Sequence, residues 1–174
     1  MNPQQIAKLG LWLNPVITKL PKHLAINIYA HGRSYFMSKL YTHKPAKISL
    51  NFKPRRLWNL TFNLPLMNSG GMFKNGEGYD LIANQGAGAY IGGTSTNNPR
   101  IGNTKLGIRH PFLSLPKSQL SLNFIGLPNL GDKYLSGLTI TKNKQVGCPI
   151  GWSVMRSPDY DVDIALEKLI ESLW

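Results

Sequence analysis

The stretch AGAYIGGTST at residues 87–96 begins as a short apolar run and ends in small and polar residues. The stretch LPLMNSGG at residues 64–71 changes in the same way, and two further apolar runs, at residues 120–125 and 149–155, also end in loop-forming residues. Strands of this kind that alternate with helices are typical of parallel βα units, whose binding loops follow the carboxyl ends of the strands. The sequence therefore predicts an α/β fold with four such strands.

The segments beside these runs predict a hairpin and a short helix. Residues 48–52 alternate apolar and polar side chains, residues 53–56 break the pattern, and residues 57–62 resume it. This is typical of a pair of short strands joined as a hairpin. Residues 77–85 predict a short helix that Gly86 closes at its C-terminal cap.

The last segment predicts an amphipathic helix that begins at Asp161. Its apolar residues share one helical face and are Val162, Leu166, Leu169, Ile170 and Leu173. A βα unit normally leads its helix back into another strand, whereas this sequence stops at Trp174. We therefore expect a truncated chain.

Positive charge is concentrated at the front of the chain. Residues 1–76 contain 11 Lys and Arg and no acidic residue, whereas residues 77–174 contain 9 Lys and Arg and 8 acidic residues. Pro15 and Pro21 predict that helices in this front part are short.

The charge pattern suggests a division into a basic N-terminal extension (1–46) and a βα domain (47–174). The extension would suit an anionic membrane, a phosphate backbone, or simply a solvated basic face. The usual RNA- and DNA-binding signatures are missing from the sequence, so nucleic acid is not expected as a partner.

Composition excludes several classes of protein. A chain of 174 residues with 42% hydrophobic residues can form one packed domain and is neither disordered nor fibrous. The single cysteine, Cys148, cannot form an internal disulfide, and no apolar run approaches the about 20 residues that span a bilayer. We expect a cytoplasmic protein, with peripheral attachment to the cytoplasmic face of a membrane as an open alternative.

Common catalytic and nucleotide-binding motifs are missing. The glycines at residues 86–92 lie in and around an apolar strand, whereas those of a dinucleotide fingerprint open a helix. The sequence contains no GxxxxGK[ST], HExxH or GxSxG motif, and its four histidines are scattered. Neither a metal site nor a hydrolase site is predicted.

Three segments in a fixed order carry a more specific signal. They are NLPLMNSGGMFKNGE (63–77), AYIGGTST with PRIGN (89–96 and 99–103), and LNFIGLPNLG (122–131). From about residue 57 to 155, their order and spacing resemble dihydroorotate dehydrogenases, where they correspond to the first strand, the second strand and an orotate-contacting segment. The resemblance implies a partial (β/α)8 TIM barrel of about four strands, preceded by a short helical extension and a β-hairpin.

The resemblance also implies FMN-dependent oxidation of dihydroorotate to orotate in pyrimidine (UMP) biosynthesis. Ser69, Gly70 and Gly71 would let the backbone approach the flavin without a Cβ clash. The Thr94 hydroxyl would form a hydrogen bond to the flavin, and Ser153 matches a polar position that faces it. From the residues alone, a turn is the favoured interpretation of Gly70 and Gly71.

The same resemblance assigns the substrate contacts. Lys74 matches a lysine near flavin and substrate, where its ammonium would stabilise negative charge. Asn123, with backbone groups of Ile125, Gly126 and Leu127, would bind the pyrimidine ring and the carboxylate. From the residues alone, the favoured interpretations are a surface charge at a helix start for Lys74 and a strand-end cap for Asn123.

The pattern combines features of two classes of the family. Lys74 and the basic extension resemble the membrane-associated class, which uses a quinone. The sequence leaves the identity of the electron acceptor open. Gly93 stands where the soluble class has its active-site lysine, and GLPN at residues 126–129 resembles that soluble class.

The family's catalytic base lies in an Asn-x-Ser-[Ser/Cys]-Pro-Asn loop, which the 174 residues do not contain. Cys148 is not a substitute, because it precedes Pro149 at the amino end of a predicted strand and barrel enzymes act at the carboxyl ends. We expect the chain to be inactive alone, and whether a separate chain supplies the missing barrel half stays open. The alternatives are a non-catalytic fragment or pseudogene product, or a basic module that binds membrane or nucleic acid.

Overall fold

A computed structural model describes residues 1–48, 51–138 and 147–172. The helices in this part of the chain are α1 (Pro3–Ile17), α2 (Lys22–Thr42), α3 (Tyr79–Asn84), α4 (Asp132–Ser136) and α5 (Val162–Glu171), with a 3-10 helix at Pro116–Ser118. The strands are β1 (Arg55–Leu57), β2 (Leu60–Phe62), β3 (Tyr90–Ser95), β4 (Thr104–Lys105), β5 (Ile108–Arg109), β6 (Phe112–Leu115), β7 (Leu120–Asn123) and β8 (Ile150–Val154).

Contacts between residues divide the chain into two units. The helical unit comprises Met1–His43 and Ile101–Gly126. The barrel unit comprises the described residues of Lys44–Arg100 and Leu127–Trp174. This grouping differs from the division at residue 46, because residues 101–126 join the first 43 residues.

The helical unit begins with a capping box on α1. The Oδ1 atom of Asn2 accepts from the Gln5 amide (2.8 Å), and the Oε1 atom of Gln5 accepts from the Asn2 amide (2.9 Å). The expectation of short helices is wrong, since α1 continues through Pro15 and the 21-residue α2 directly follows Pro21. Pro21 is the N-cap of α2, where a missing amide costs little, whereas Pro15 lies in the last turn of α1 and removes one hydrogen bond there without ending the helix.

Tyr29 fixes α2 to its neighbours in the helical unit. Its hydroxyl donates to Oδ1 of Asn14 on α1 (2.8 Å), and its ring meets the Phe112 ring edge-on with centroids 6.4 Å apart. Burial raises the pKa of Tyr29, which keeps the hydroxyl a neutral donor. Among the described residues, no helix combines the length and the apolar character needed to cross a bilayer.

Two antiparallel hairpins complete the helical unit. β4 pairs with β5, and β6 pairs with β7 so that Phe112 lies opposite Asn123. The prediction that residues 120–125 form a parallel barrel strand is therefore wrong. Leu120 to Asn123 alternate apolar and polar side chains, which is typical of an antiparallel strand, and the 3-10 helix turns the chain back beside β6.

The barrel unit contains the parallel strands. β3 and β8 pair in parallel with Gly93 opposite Ser153, and a further parallel bridge joins Met67 to Ala89. Residues 66–68, β3 and β8 therefore follow one another across the sheet. The α/β class is confirmed, and three of the four predicted parallel segments lie in this arrangement within the described residues.

Aromatic rings form the centre of the barrel unit. Tyr90 and Phe73 are fully buried and stack with centroids 5.8 Å apart. The edges of Tyr79 and Trp152 pack on Tyr90 at 5.5 and 6.4 Å. The Tyr90 hydroxyl donates to the carbonyl oxygen of Glu77 (2.7 Å), so both the ring and its polar end have fixed partners.

The predicted hairpin is present but displaced along the chain. β1 and β2 pair around Trp58 and Asn59, which both have positive φ (47° and 60°). The first strand was predicted at residues 48–52, but residues 51–54 form no strand and residues 49–50 lie outside the described residues. The break at Lys53 to Arg56 thus includes most of β1.

The two predicted helices of the barrel unit are confirmed. α3 lies within residues 77–85, and Gly86 follows it with φ 81°, a conformation that suits glycine. α5 starts directly after Asp161, while Leu173 lies outside the described residues.

Candidate functional site

An asparagine side chain fixes the loop after residues 66–68 to β3. Nδ2 of Asn68 donates to the carbonyl oxygen of Ile91 (2.7 Å), and Oδ1 of Asn68 accepts from the Ile91 amide (2.9 Å). The amide group pairs with the strand as a backbone residue would, one step beyond the Met67–Ala89 bridge. The role of Asn68 is not predicted from the sequence, where its only signal is an amide side chain directly after an apolar run.

Backbone hydrogen bonds hold the glycine loop against the end of β3. The Gly71 amide donates to the Gly93 carbonyl (2.7 Å), and the Gly93 amide donates to the Phe73 carbonyl (2.9 Å). Gly71 and Gly93 have φ values of 86° and 91°, which L side chains rarely adopt. A Cβ atom on Gly93 would lie 2.3 Å from the carbonyl oxygen of Ser153. These glycines therefore allow the glycine loop, β3 and the backbone of Ser153 to lie close together.

Gly70, Thr94 and Ser153 meet at the carboxyl ends of the parallel strands. A Cβ atom on Gly70 would lie 3.0 Å from both Cβ and Oγ of Ser153. The hydroxyls of Thr94 and Ser153 are 2.9 Å apart and share a hydrogen bond. Two hydroxyl groups thus stand beside a backbone segment that has no side chain.

Lys74 extends towards the same glycines. Its Nζ atom lies 3.9 Å from the position that a Gly71 Cβ would take. Lys74 is partly buried and directly follows Phe73, which anchors the loop in the core. A positive charge therefore lies beside the glycine loop, in a place where it interacts more strongly than in bulk water.

Asn129 is a second residue that sequence reasoning missed. It is 3% exposed, and its Nδ2 donates to Oγ1 of Thr96 (3.0 Å) and to the carbonyl of Leu127 (2.8 Å). Its Oδ1 accepts from the Gly131 amide (2.8 Å). One buried amide thereby joins the loop after β3 to the segment that begins at Leu127.

A charged cluster joins the loops that follow β3 and β8. Arg100 forms an ion pair with Asp159, and the Ser157 hydroxyl donates to Oδ2 of Asp159 (2.9 Å). Ser157 is 2% exposed, and the side chain of Arg100 is 12% exposed. The cluster restrains these loops at the same strand ends as the hydroxyl pair.

Three predicted substrate contacts belong to the helical unit. Asn123 is exposed at the end of β7, and the Ile125 amide lies 3.5 Å from its Oδ1 atom. Gly126 has φ 77°, and a Cβ there would lie 2.4 Å from the side chain of Asn103. Leu127, the fourth predicted contact, starts the second segment of the barrel unit.

The predicted cofactor contacts, unlike the predicted substrate contacts, all lie in one unit. Gly70, Gly71, Thr94 and Ser153 gather in the barrel unit with Lys74. Ser69 is exposed beside them, and its carbonyl accepts from Asn68 (3.2 Å).

Cys148 is not part of this group. It is 2% exposed, and its carbonyl oxygen accepts from the Tyr79 hydroxyl (2.9 Å). Burial raises the pKa of the Cys148 thiol to about 11, so the thiol stays protonated near neutral pH. The cysteine is a packing residue.

The helical unit contains a cavity of about 270 Å³. Its wall includes Ile26 of α2 and Phe112, Leu122 and Phe124 of the β6–β7 region, and Asn123 lies at the same wall. Most of the lining is apolar. A cavity of this kind suits an apolar ring more than a small anion.

Parallel strands with helices between them, and a polar cluster at the strand ends, define an α/β protein whose candidate site lies at the carboxyl ends of its parallel strands. The family model for dihydroorotate dehydrogenase matches residues 54–171. The chain belongs to the dihydroorotate dehydrogenase family.

Curated relatives come from both branches of that family. The chain is 31% identical over 112 residues to a dihydroorotate dehydrogenase (quinone) of Azotobacter vinelandii, covering 64% of this chain and 30% of that protein. It is 30% identical over 125 residues to a probable dihydroorotate dehydrogenase A (fumarate) of Enterococcus faecalis, covering 71% and 37%. It is 28% identical over 151 residues to a quinone-type relative of Ectopseudomonas mendocina, covering 86% and 41%. The chain thus spans 30 to 41% of the length of these relatives.

The fold agrees with the family. The crystal structure of the Eimeria tenella enzyme in complex with ferulenol superposes with a TM-score of 0.58 at 18% identity. The match covers 80% of this chain and 40% of that one. The likeness establishes the fold.

Proposed function

We propose that the chain forms one side of an FMN site at which dihydroorotate is oxidised to orotate in pyrimidine biosynthesis. The observation that supports this most directly is the contact of Gly70 with Ser153, whose hydroxyl lies 2.9 Å from that of Thr94. The names of the relatives support the reaction. The activity of the whole protein remains part of the proposal, because the chain spans less than half of their length.

The clustered residues fit a flat, electron-rich cofactor. Among the described residues, only Nζ of Lys74, at 3.9 Å, lies within 4 Å of the Gly71 Cβ position, so a ring system can lie against this backbone without a Cβ clash, whereas Ser153 fills the space at the Gly70 Cβ position. Thr94 and Ser153 each carry a hydroxyl that can donate or accept, and they orient the ring edge. FMN, when bound, would accept the hydride from dihydroorotate. Lys74 would stabilise the negative charge that develops beside it.

The substrate contacts complete the proposal. The exposed amide of Asn123 has both a donor and an acceptor, which matches the alternating polar groups of a pyrimidine ring. Backbone groups of Ile125, Gly126 and Leu127 would bind the remaining ring atoms and the carboxylate.

We expect the chain alone to bind FMN without oxidising dihydroorotate. The oxidation forms the C5=C6 double bond of orotate by loss of a proton from C5 and of a hydride from C6, so it needs a base in addition to a hydride acceptor. The family's base loop is missing from the sequence, and the buried Cys148 thiol, with a pKa of about 11, cannot replace it.

Lys74→Met is expected to weaken FMN binding about 10- to 150-fold, because it removes a charge-assisted interaction worth about 1.5 to 3 kcal/mol. Binding is measured by the quenching of flavin fluorescence on titration with the protein. Lys133→Met is the matched control, since Lys133 lies exposed on α4 of the same unit.

Two results would contradict the FMN proposal. The first is equal weakening by both lysine variants. The second is no saturable binding by a wild-type chain whose near-ultraviolet circular dichroism shows packed aromatic rings. Bleaching of bound FMN by dihydroorotate would instead contradict the expected inactivity of the isolated chain.

For the electron acceptor we propose a quinone. The apolar cavity with Ile26, Phe112 and Phe124 in its wall suits a quinone ring better than the dianion fumarate. A water-soluble short-chain quinone is expected to raise the unfolding temperature of the chain, whereas fumarate at the same concentration leaves it unchanged. The opposite order in a calorimetric scan would refute the quinone assignment.

A second candidate function is peripheral membrane attachment. Leu9, Trp12 and Val16 share a face of α1 and are 42, 77 and 61% exposed. The sequence of the helical unit contains five Lys and Arg in residues 1–43, three in residues 101–126, and no acidic residue. An apolar helix face on a basic unit suits an anionic lipid surface, where each basic residue contributes about 1 kcal/mol.

We expect the chain to co-sediment with vesicles that contain anionic lipid and not with vesicles of phosphatidylcholine alone. Trp12→Ser should reduce the bound fraction severalfold. Trp58→Ser is the control, because Trp58 is 85% exposed but lies on the hairpin of the barrel unit. Binding that ignores anionic lipid, or that falls equally in both variants, would count against this attachment.

A further inference from the structure

Asn75 joins the loop that carries Lys74 to the segment that begins at Leu127. Its Oδ1 atom accepts from the Leu130 amide (2.9 Å). Its Nδ2 atom donates to Oε1 of Glu77 (3.2 Å), and its backbone amide donates to Oε2 of the same carboxylate (2.9 Å). A backbone amide can only donate and an ionised carboxylate can only accept, so these partners fix the orientation of the Asn75 side chain.

The loop that carries Lys74 is anchored in the aromatic centre of the barrel unit. The carbonyl oxygen of Glu77 accepts from the hydroxyl of the fully buried Tyr90 (2.7 Å). Phe73, which is also fully buried, directly precedes Lys74, and its carbonyl oxygen accepts from the Gly93 amide (2.9 Å). Lys74 therefore lies on a short loop that is held on both sides.

The segment at the other end of the Asn75 side chain has hydrogen bonds of its own. Nδ2 of Asn129 donates to the Leu127 carbonyl (2.8 Å), and Oδ1 of Asn129 accepts from the Gly131 amide (2.8 Å). Leu130 lies between these partners in the chain. Its bond to Asn75 therefore restrains the backbone of Leu127 as well.

We propose that Asn75 is a positioning residue that makes the binding of FMN and of the pyrimidine substrate cooperative. This inference rests on the proposed function, in which Lys74 lies beside the flavin and the Leu127 backbone beside the substrate. A first ligand that orders one side of the link loses conformational entropy that the second ligand need not lose again, so each ligand tightens the binding of the other. In this role Asn75 acts through its neighbours and is not itself a ligand contact.

The test measures FMN binding to the 174-residue chain by the quenching of flavin fluorescence, with and without excess orotate. Orotate should tighten FMN binding about fivefold, and Asn75→Ala should reduce this tightening to less than about twofold. Without orotate, Asn75→Ala should weaken FMN binding less than Lys74→Met does, because the lysine beside the flavin is kept.

Hydrogen exchange tests the link without any ligand. The Leu130 amide should exchange about tenfold faster in Asn75→Ala, because the variant removes its acceptor. The Ala165 amide of α5, which donates to the Asp161 carbonyl (2.8 Å), should exchange at the same rate in both chains.

Two substitutions that together conserve charge test the hydrogen bond itself. Asn75→Asp places a carboxylate against that of Glu77 and should remove the effect of orotate on FMN binding. Adding Glu77→Gln supplies an amide donor, which reverses the direction of the 3.2 Å bond, and the introduced carboxylate still accepts from the Leu130 amide. The double variant should therefore restore the effect of orotate.

Asn98→Ala is the matched control. Nδ2 of Asn98 donates to the Tyr160 hydroxyl, so this side chain also joins two loops at the strand ends, but neither loop carries Lys74. The effect of orotate should persist in this variant.

Three results would overturn the positioning role and leave the FMN site itself in place. They are wild-type FMN binding that orotate does not change, equal loss of the orotate effect in Asn75→Ala and Asn98→Ala, and a double variant no better than Asn75→Asp. A wild-type chain that binds no FMN contradicts the proposed function instead. Exchange of the Leu130 amide then decides the link, since faster exchange in Asn75→Ala supports it and unchanged exchange refutes it.

Discussion

Gly88→Ala is expected to unfold the barrel unit. An alanine Cβ at this position would lie 1.6 Å from the carbonyl oxygen and 2.6 Å from the carbonyl carbon of Leu64. The Gly88 amide also donates to the Leu66 carbonyl (2.8 Å), so the two backbones cannot separate without losing this bond. We expect a loss of more than about 3 kcal/mol in the free energy of unfolding, measured by urea denaturation.

Two further glycines test the cause of this loss. Gly10→Ala is the control, since no atom lies within 4 Å of its Cβ position in α1, and it should stabilise the helix by up to about 1 kcal/mol. Gly92→Ala would place Cβ 2.0 Å from the Trp152 ring, and Trp152→Leu in the same chain should restore part of the stability. An unchanged urea midpoint for Gly88→Ala would show that the backbones do not approach in this way.

Much of the barrel unit could be predicted because its features are local in the sequence. The end of β3 is marked by the change from Tyr90-Ile91 to Gly92-Gly93, and α5 is marked by apolar residues with helical spacing. Since the carboxyl ends of parallel strands share one edge, the strand ends also predicted where site residues would gather. Gly70, Thr94 and Ser153 do gather there, although their role in binding FMN is a proposal.

The misplaced strand at residues 120–125 has a physical explanation. A short apolar run is compatible with a parallel strand or with one arm of an antiparallel hairpin, and composition alone does not separate the two. The partner of β7 is β6, and their turn contains Gln119 with φ 52°, which is unusual for a residue other than glycine. A turn formed by such a residue leaves no glycine or asparagine signal in the sequence.

The polar residues that organise the site loops could not be found from local pattern. Asn129 bonds to Thr96, 33 residues earlier, and Arg100 pairs with Asp159, 59 residues later. A single polar residue has the same appearance in sequence whether it is solvated or buried with its partners. Only the fold supplies the partners, and burial then makes such bonds important.

Tyr90→Ala should destabilise the barrel unit by about 3 to 5 kcal/mol, the range for truncation of a large buried ring. Tyr90 is fully buried, and its ring contacts Phe73, Tyr79 and Trp152, so alanine leaves a cavity that these rings line. The loss is measured as the change in unfolding free energy by urea denaturation. It is comparable to a large part of the total stability of a domain of this size.

Tyr90→Phe separates the ring from its hydroxyl. Phenylalanine keeps the packing and loses only the 2.7 Å bond to the Glu77 carbonyl, which predicts a cost of about 1 kcal/mol. Because this carbonyl lies three residues after Lys74, the variant should also weaken FMN binding less than Lys74→Met does. Equal destabilisation by Tyr90→Phe and Tyr90→Ala would mean that the hydrogen bond, and not the aromatic cluster, holds β3 against the glycine loop.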